Sequence, residues 1–249
     1  MIKYGLKLWS NNIDYFVPAV DLLKKKEVDF IELYYNDMIP LDLKALKNLK
    51  GSPVNIHSTD NHGFEKFVIG ERELSIWLQI KDLAEFFESK FIIVHPGREH
   101  TFNTFKKNLK KINTKKILIE NMPGLDIKSQ PMYASKLSEL EEINQIKDIC
   151  YDFEKAVKGA VYHGIDYKEY ISNSLLSLKP DYFHISGGDT KSAIDEHLNL
   201  WEGDIDFKWI KQKILELSST QTIFLVFEVP KKDGLKNDLK NIEYFRNLI

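Results

Sequence analysis

The chain reads as an α/β protein, a closed (β/α)8 barrel, and two observations predict it. Strand-like and helix-like stretches alternate along all 249 residues, the pattern of a parallel sheet built from βα units. Six apolar runs each end in an acid or a histidine: PVNIHS at His57, FIIVHPG at His95, ILIEN at Glu120, DICYDF at Asp152, DYFHIS at His184 and IFLVFEVP at Glu228. Successive residues of this set are 38, 25, 32, 32 and 44 positions apart, against about one βα unit every 31 residues in a barrel of roughly 250. In such a barrel all strands end at one mouth, so side chains remote in sequence converge there.

Taken in order, strands are expected at 4–9, 29–34, 53–57, 91–95, 116–120, 147–152, 181–185 and 222–228. Most are near-continuously apolar, as strands buried on both faces are. Helices are expected at 12–26, 41–49, 71–89, 101–112, 133–144, 153–178, 206–218 and 235–247. No composition shift marks a boundary, so one domain is expected over residues 1–249. The segment 186–203 is the most irregular, rich in Gly, Asp and Asn; long loops on the catalytic face of a barrel carry function. Cys150 and Asp152 are two apart and share a strand face, which turns Cys150 into the barrel as a buried apolar thiol. Glu32 lies inside FIELYY, where a carboxylate without a partner is costly. It either caps a helix on the outer face or points into the mouth.

Hydrophobic residues make up 43% of the chain and aromatic residues 12%, enough for a globular core. Thirty-five Lys+Arg offset 37 Asp+Glu for a net charge of −2, so the overall basic footprint of many nucleic-acid binders is missing. A single cysteine rules out a disulfide framework and points to a reducing, cytoplasmic compartment. The N-terminal stretch MIKYGLKLWSNN has no apolar signal-peptide core, and no run reaches the roughly 18 residues that a membrane span needs. Carboxylates gathered at one mouth repel each other unless they share a cation, so the six residues predict a divalent metal. Every donor is nitrogen or oxygen, which suits zinc, manganese, cobalt or iron; a histidine-rich set favours zinc.

These residues resemble the superfamily that joins xylose isomerase-like sugar isomerases and epimerases to the endonuclease IV type of apurinic/apyrimidinic endonuclease, all of them TIM barrels. The resemblance covers essentially the whole barrel and is densest from Phe91 onward. HPG at His95, EN at Glu120 and Asn121, and the set Glu120, Asp152, His184 and Glu228 carry it. In the isomerase branch that set implies one bound divalent ion, with the two glutamates as the acid/base pair. The endonuclease branch implies nine ligands for three zinc ions. His57, His95, Glu120, Asp152, His184 and Glu228 match six of them, and Asp195 and His197 resemble two more. The ninth should be a histidine three residues after Asp152, where this chain has Lys155; a protonated lysine cannot ligate a cation and repels one. The apolar pair that wedges DNA apart in that branch is matched by Ser58, Thr59, Asp60 and Asn61, which lack the bulk a wedge needs. Glu32 in IEL resembles the second strand of sugar isomerases.

The resemblance therefore implies an isomerase or epimerase of a small polyol, sugar or sugar derivative. Glu120, Glu228 and Lys155 would act in catalysis, and Glu32, Asn121, Lys155 and His197 would bind substrate. His57, His95, Glu120, Asp152, His184, Glu228 and Asp195 would hold metal. Lys155 is expected against Asp195 or an anionic group of the substrate. Two alternatives stand beside this: a two-zinc phosphodiesterase acting on abasic nucleic acid, and a related lyase, dehydratase or non-catalytic metal or sugar binder.

Overall fold

The computed structural model describes residues 1–59, 70–97, 102–112 and 114–248. Eight parallel strands close into a barrel in sequence order: β1 (Ile2–Trp9), β2 (Phe30–Tyr34), β3 (Val54–His57), β4 (Ile92–Val94), β5 (Ile117–Glu120), β6 (Ile149–Asp152), β7 (Tyr182–Ile185) and β8 (Ile223–Phe227). Between them run helices α1 (Phe16–Lys24), α2 (Leu43–Leu46), α3 (Glu71–Phe86), α4 (Phe102–Leu109), α5 (Leu137–Asn144), α6 (Phe153–His163), α7 (Tyr167–Leu178) and α8 (Phe207–Ser218), with α9 (Lys236–Asn247) after β8. Each expected strand is present, and the metal-type residues stand in or just past the strand ends.

The one helix expected over 153–178 is two. Gly164 ends α6 in the left-handed region at φ 67°, returning its N–H to the α6 carbonyls of Ala160 and Val161. Asp166 then starts α7 by accepting the Glu169 N–H at 3.0 Å.

The barrel interior has two levels. Phe30, Ile93, Leu118, Cys150, Tyr182, Phe224 and Val226 pack together inside it, with ring centroids of Phe30, Tyr182 and Phe224 5.5–5.9 Å apart. Cys150 is thus the buried, inward-facing thiol expected. Gly5 faces this layer because a Cβ there would lie 2.4 Å from the Phe30 ring. Two residues further along the same strands stand Lys7, Glu32, His95, Glu120, Asp152, His184 and Glu228. The period of two that aims one residue inward aims the next but one inward as well, so the apolar layer carries the polar one above it. Register does the rest: Lys7 lies opposite Glu32, and Asp152 opposite His184.

Candidate metal centre

His184 is the hub of the polar layer. Its Nε2 lies 2.9 Å from Glu32 Oε2, an oxygen that also accepts the Tyr182 hydroxyl at 2.8 Å. Glu32 can only accept, so Nε2 carries the proton and Nδ1 is turned to the mouth. Nδ1 sits 2.8 Å from Glu120 Oε1 and 2.9 Å from Glu228 Oε1. A carboxylate behind a histidine in this way orients the ring and fixes its tautomer as a metal ligand. Asp152 completes the set. Its Oδ1 caps α6 by accepting the Lys155 backbone N–H at 2.9 Å, while its buried Oδ2 has no hydrogen-bond partner. Ligand atoms of Glu120, Asp152, His184 and Glu228 all lie within 4.8 Å of one another, and donors around a tetrahedral zinc at 2.0–2.1 Å are roughly 3.3 Å apart. The residues fit a divalent ion, and the orphaned Asp152 oxygen is the acceptor such an ion would satisfy.

A second set shares Glu120. The buried His57 donates from Nδ1 to the Ser58 carbonyl at 2.7 Å, which leaves Nε2 facing Glu120 Oε2 at 3.2 Å. His95 Nε2 approaches the same oxygen at 2.6 Å. Burial, with Lys7 nearby, holds His57 below its ordinary pKa, so a neutral ring nitrogen and a carboxylate oxygen face each other lone pair to lone pair. Glu120 thus offers one oxygen to each set.

Two lysines enter this layer, and only one was expected. Lys7, from the apolar strand YGLKLW, is ion-paired with Glu228 and lies 3.2 Å from Glu32 Oε1. Its signal in sequence is a cation inside the apolar run YGLKLW, at the same inward phase as Gly5. Lys155 Nζ lies 2.6 Å from Glu120 Oε1 and 3.9 Å from Asp152 Oδ2. Burial opposes the charge on both lysines, but the surrounding carboxylates outweigh it and raise both pKa values. Burial likewise pushes Glu120 and Glu228 up, yet the neighbouring cations carry both well below the carboxylate range. Glu32 is held at about 2, burial being outweighed by His184 and Lys7. Asp152 goes the other way, to about 6, because burial outweighs Lys155.

Three of the expected site residues have protein partners of their own. Lys155 reaches Glu120 rather than Asp195, whose Oδ2 instead meets His197 Nε2 at 3.0 Å. Asn121 is not free for substrate: Nδ2 donates to the Asp152 carbonyl at 2.9 Å and Oδ1 accepts the Asp152 N–H at 2.6 Å, a reciprocal clasp between β5 and β6. Glu32 points inward, as one of its two readings had it, and is fully buried with Oε2 against His184 Nε2 at 2.9 Å. Asp60 and Asn61 of the would-be wedge lie outside the described residues.

The irregular segment 186–203 does reach the site. His197, at φ 49°, places Nδ1 3.5 Å from Glu228 Oε2. Burial pushes its pKa down, but Asp195 outweighs this and raises it to about 10; His197 in turn holds Asp195 at about 2 against burial. What anchors the segment is Glu154, unremarked in the sequence because it looks like one more charge in the first turn of a helix. Its Oε2 accepts the Ser186 hydroxyl at 2.5 Å and the His197 N–H at 3.0 Å, and Oε1 accepts the Glu196 N–H at 2.8 Å. Burial first, and Asp195 second, raise Glu154 to about 8. Above the polar layer opens a cavity of about 800 Å³, walled by Trp9, Tyr34, Met122, Met132 and Val229 and reached by Lys7, Lys155, His197 and Glu228.

Solved structures of the same architecture span two chemistries. Endonuclease IV from Thermus thermophilus superposes with a TM-score of 0.73 at 17% identity, covering 98% of this chain and 97% of that one. A D-tagatose 3-epimerase-like protein gives 0.67 at 17% identity, over 99% and 96%. The 3-keto-D-glucoside 4-epimerase of E. coli gives 0.65 at 13% identity, over 99% and 99%. At these identities the likeness is one of fold. No curated protein is a significant match by sequence. Among the described residues no helix is long and apolar enough to cross a membrane. The family model of the xylose isomerase-like TIM barrel matches residues 20–248, and the chain belongs to that family.

Proposed function

We propose that the protein is a divalent-metal-dependent isomerase or epimerase of a small sugar or sugar derivative. The observation that supports it is the placement of Glu120 and Glu228 at 2.8 and 2.9 Å from His184 Nδ1, with Glu228 lining a cavity of about 800 Å³ and Glu120 buried just beneath it. That volume suits a small molecule. Glu120, Asp152, His184 and Glu228 would hold the ion, zinc by preference, with manganese, cobalt or iron also suited to such donors. When bound, the ion polarises a carbonyl and fixes the adjacent hydroxyl.

The rest falls to the chain. Glu120 and Glu228 are the pair that takes a proton from the substrate carbon and returns it. Lys155 and Lys7 keep both glutamates ionised and so able to accept it. His197, at the mouth, donates to a substrate hydroxyl, and Trp9 with Tyr34 offers an aromatic wall. A cytoplasmic setting agrees with the lone buried thiol of Cys150.

The second reading is a two-zinc phosphodiesterase of the endonuclease type. One observation favours it: Glu120 turns Oε1 to His184 and Oε2 to His57 and His95, as a carboxylate bridging two ions would. The experiment is direct. The protein, loaded with zinc or manganese, is incubated with a panel of ketoses and their phosphates and, separately, with a duplex carrying an abasic site. We expect turnover of a sugar and its loss in Asp152→Asn, which keeps the helix cap but removes a ligand charge. Efficient incision at the abasic site with no sugar turned over would promote the second reading.

A further inference from the structure

The charges of the polar layer do not balance. Glu32, Glu120, Asp152 and Glu228 are fully or almost fully buried, and each lies within 4 Å of Lys7 or Lys155. With the imidazoles neutral, as metal ligation requires, four carboxylates against two ammonium groups leave two negative charges, the charge of one divalent ion. Buried charge that is not compensated is strongly disfavoured, so one ion closes the balance and a second would overshoot it.

The geometry alone offers more than one place. Apart from a group that needs the buried Cys150 thiol and one outside the layer, Glu154 with Asp195 and His197, three overlapping sets could each hold an ion: Glu120, Asp152, His184 and Glu228; His57, His95 and Glu120; and Glu32, His57, His184 and Glu228. The first has three carboxylates, the last two and the middle one a single carboxylate. The lysines are distributed over the competition. Lys7 sits on Glu32 and Glu228, inside the last set. Lys155 bridges the first two: Nζ is 2.6 Å from Glu120 Oε1 and 3.5 Å from His95 Nε2. An ammonium there neutralises the only carboxylate that the His57 and His95 set possesses. Two imidazoles and a carboxylate whose charge is already spent make a weak cation site beside a strong one.

We infer that Lys7 and Lys155 are built-in counter-cations that limit this centre to one divalent ion, leaving the His57, His95 and Glu120 set formed in geometry but closed by charge. This rests on the metal-dependent reading proposed above. It also separates that reading from the two-metal alternative, since removing one lysine charge should open the second set.

The test is metal stoichiometry, read without any substrate. Parent, Lys155→Met, Lys155→Arg and Lys7→Met proteins are saturated with zinc, dialysed against metal-free buffer and analysed for zinc per chain; cobalt titration followed by its visible absorption gives an independent count. The parent should hold one ion, Lys155→Met two, and Lys155→Arg, which keeps the charge, one. Lys7→Met should bind its first ion at least tenfold more tightly. Two or more tight ions in the parent overturn the inference even if every variant fails to fold. A folded Lys155→Met that stays at one ion also overturns it while leaving the proposed function intact. A parent that binds no ion removes both.

Discussion

The two levels of the barrel interior are built on the same strands, two residues apart, and solve opposite problems. The lower one buries Phe30, Ile93, Leu118, Cys150, Tyr182, Phe224 and Val226 with hardly a polar atom. The upper one buries Lys7, Glu32, Glu120, Asp152 and His184 almost as completely. Apolar burial stabilises in proportion to area, whereas buried charges recover their desolvation only through good partners. The lower level can therefore hold the barrel together. The upper level draws on that stability to keep carboxylates close enough to compete for a cation.

The largest expected effect lies below. Phe30→Ala removes a ring packed against Tyr182 and Phe224 at 5.9 and 5.5 Å. It should cost about 3–5 kcal/mol of unfolding free energy in a denaturant titration, with metal affinity unchanged. A large loss of metal affinity in the still-folded variant would mean that the two levels are not separable.

A smaller effect is expected above, with the opposite signature. Glu32→Gln takes away the carboxylate behind His184 and leaves the side-chain volume. Losing such a support should weaken zinc binding by about 10–100-fold, measured by competition with a chromophoric chelator. Unchanged affinity would show that His184 needs no support from below.

The smallest effect concerns pH. Glu154 has its folded pKa raised to about 8 from an ordinary 4.5. Its contribution to stability is full below about 4.5 and is lost as pH rises through about 8. For one proton the slope is at most about 1.4 kcal/mol per pH unit. In the ion-free protein, Glu154→Gln should flatten the fall in stability between those limits, followed by thermal unfolding across pH. The Phe30→Ala loss should be the same at every pH.

How far these levels were legible in the sequence follows the same division. All eight strands could be read because parallel strands buried on both faces are continuous apolar runs. His57, Glu120 and Asp152 could be read because they end those runs. Lys7 escaped because one lysine among Tyr4, Leu6 and Leu8 looks like an outward-facing residue, and phase is fixed only by the neighbouring strands. Glu154 escaped because helix first turns are commonly acidic, and nothing local says that Ser186 and the His197 N–H will arrive there. The partner of Lys155 could not be read either. Asp195 and Glu120 are both acids some 40 positions away or fewer, and only the closed barrel chooses between them. Gly164, followed by the N-cap Asp166, was the visible sign inside 153–178 that the predicted long helix breaks.

The clasp of Asn121 on the backbone of Asp152 has a kinetic consequence. A side-chain amide that pairs with a peptide group on both sides imitates one more rung of the ladder between β5 and β6, just where the strands would otherwise splay. Glu120 and Asp152 flank that rung, so their spacing is set by the chain before any ion arrives. Loading the centre then requires no folding step. Its speed is governed by the ion shedding its water and by the lysines turning aside, and a chelated sample should refill on mixing with metal, with no slow phase of backbone rearrangement.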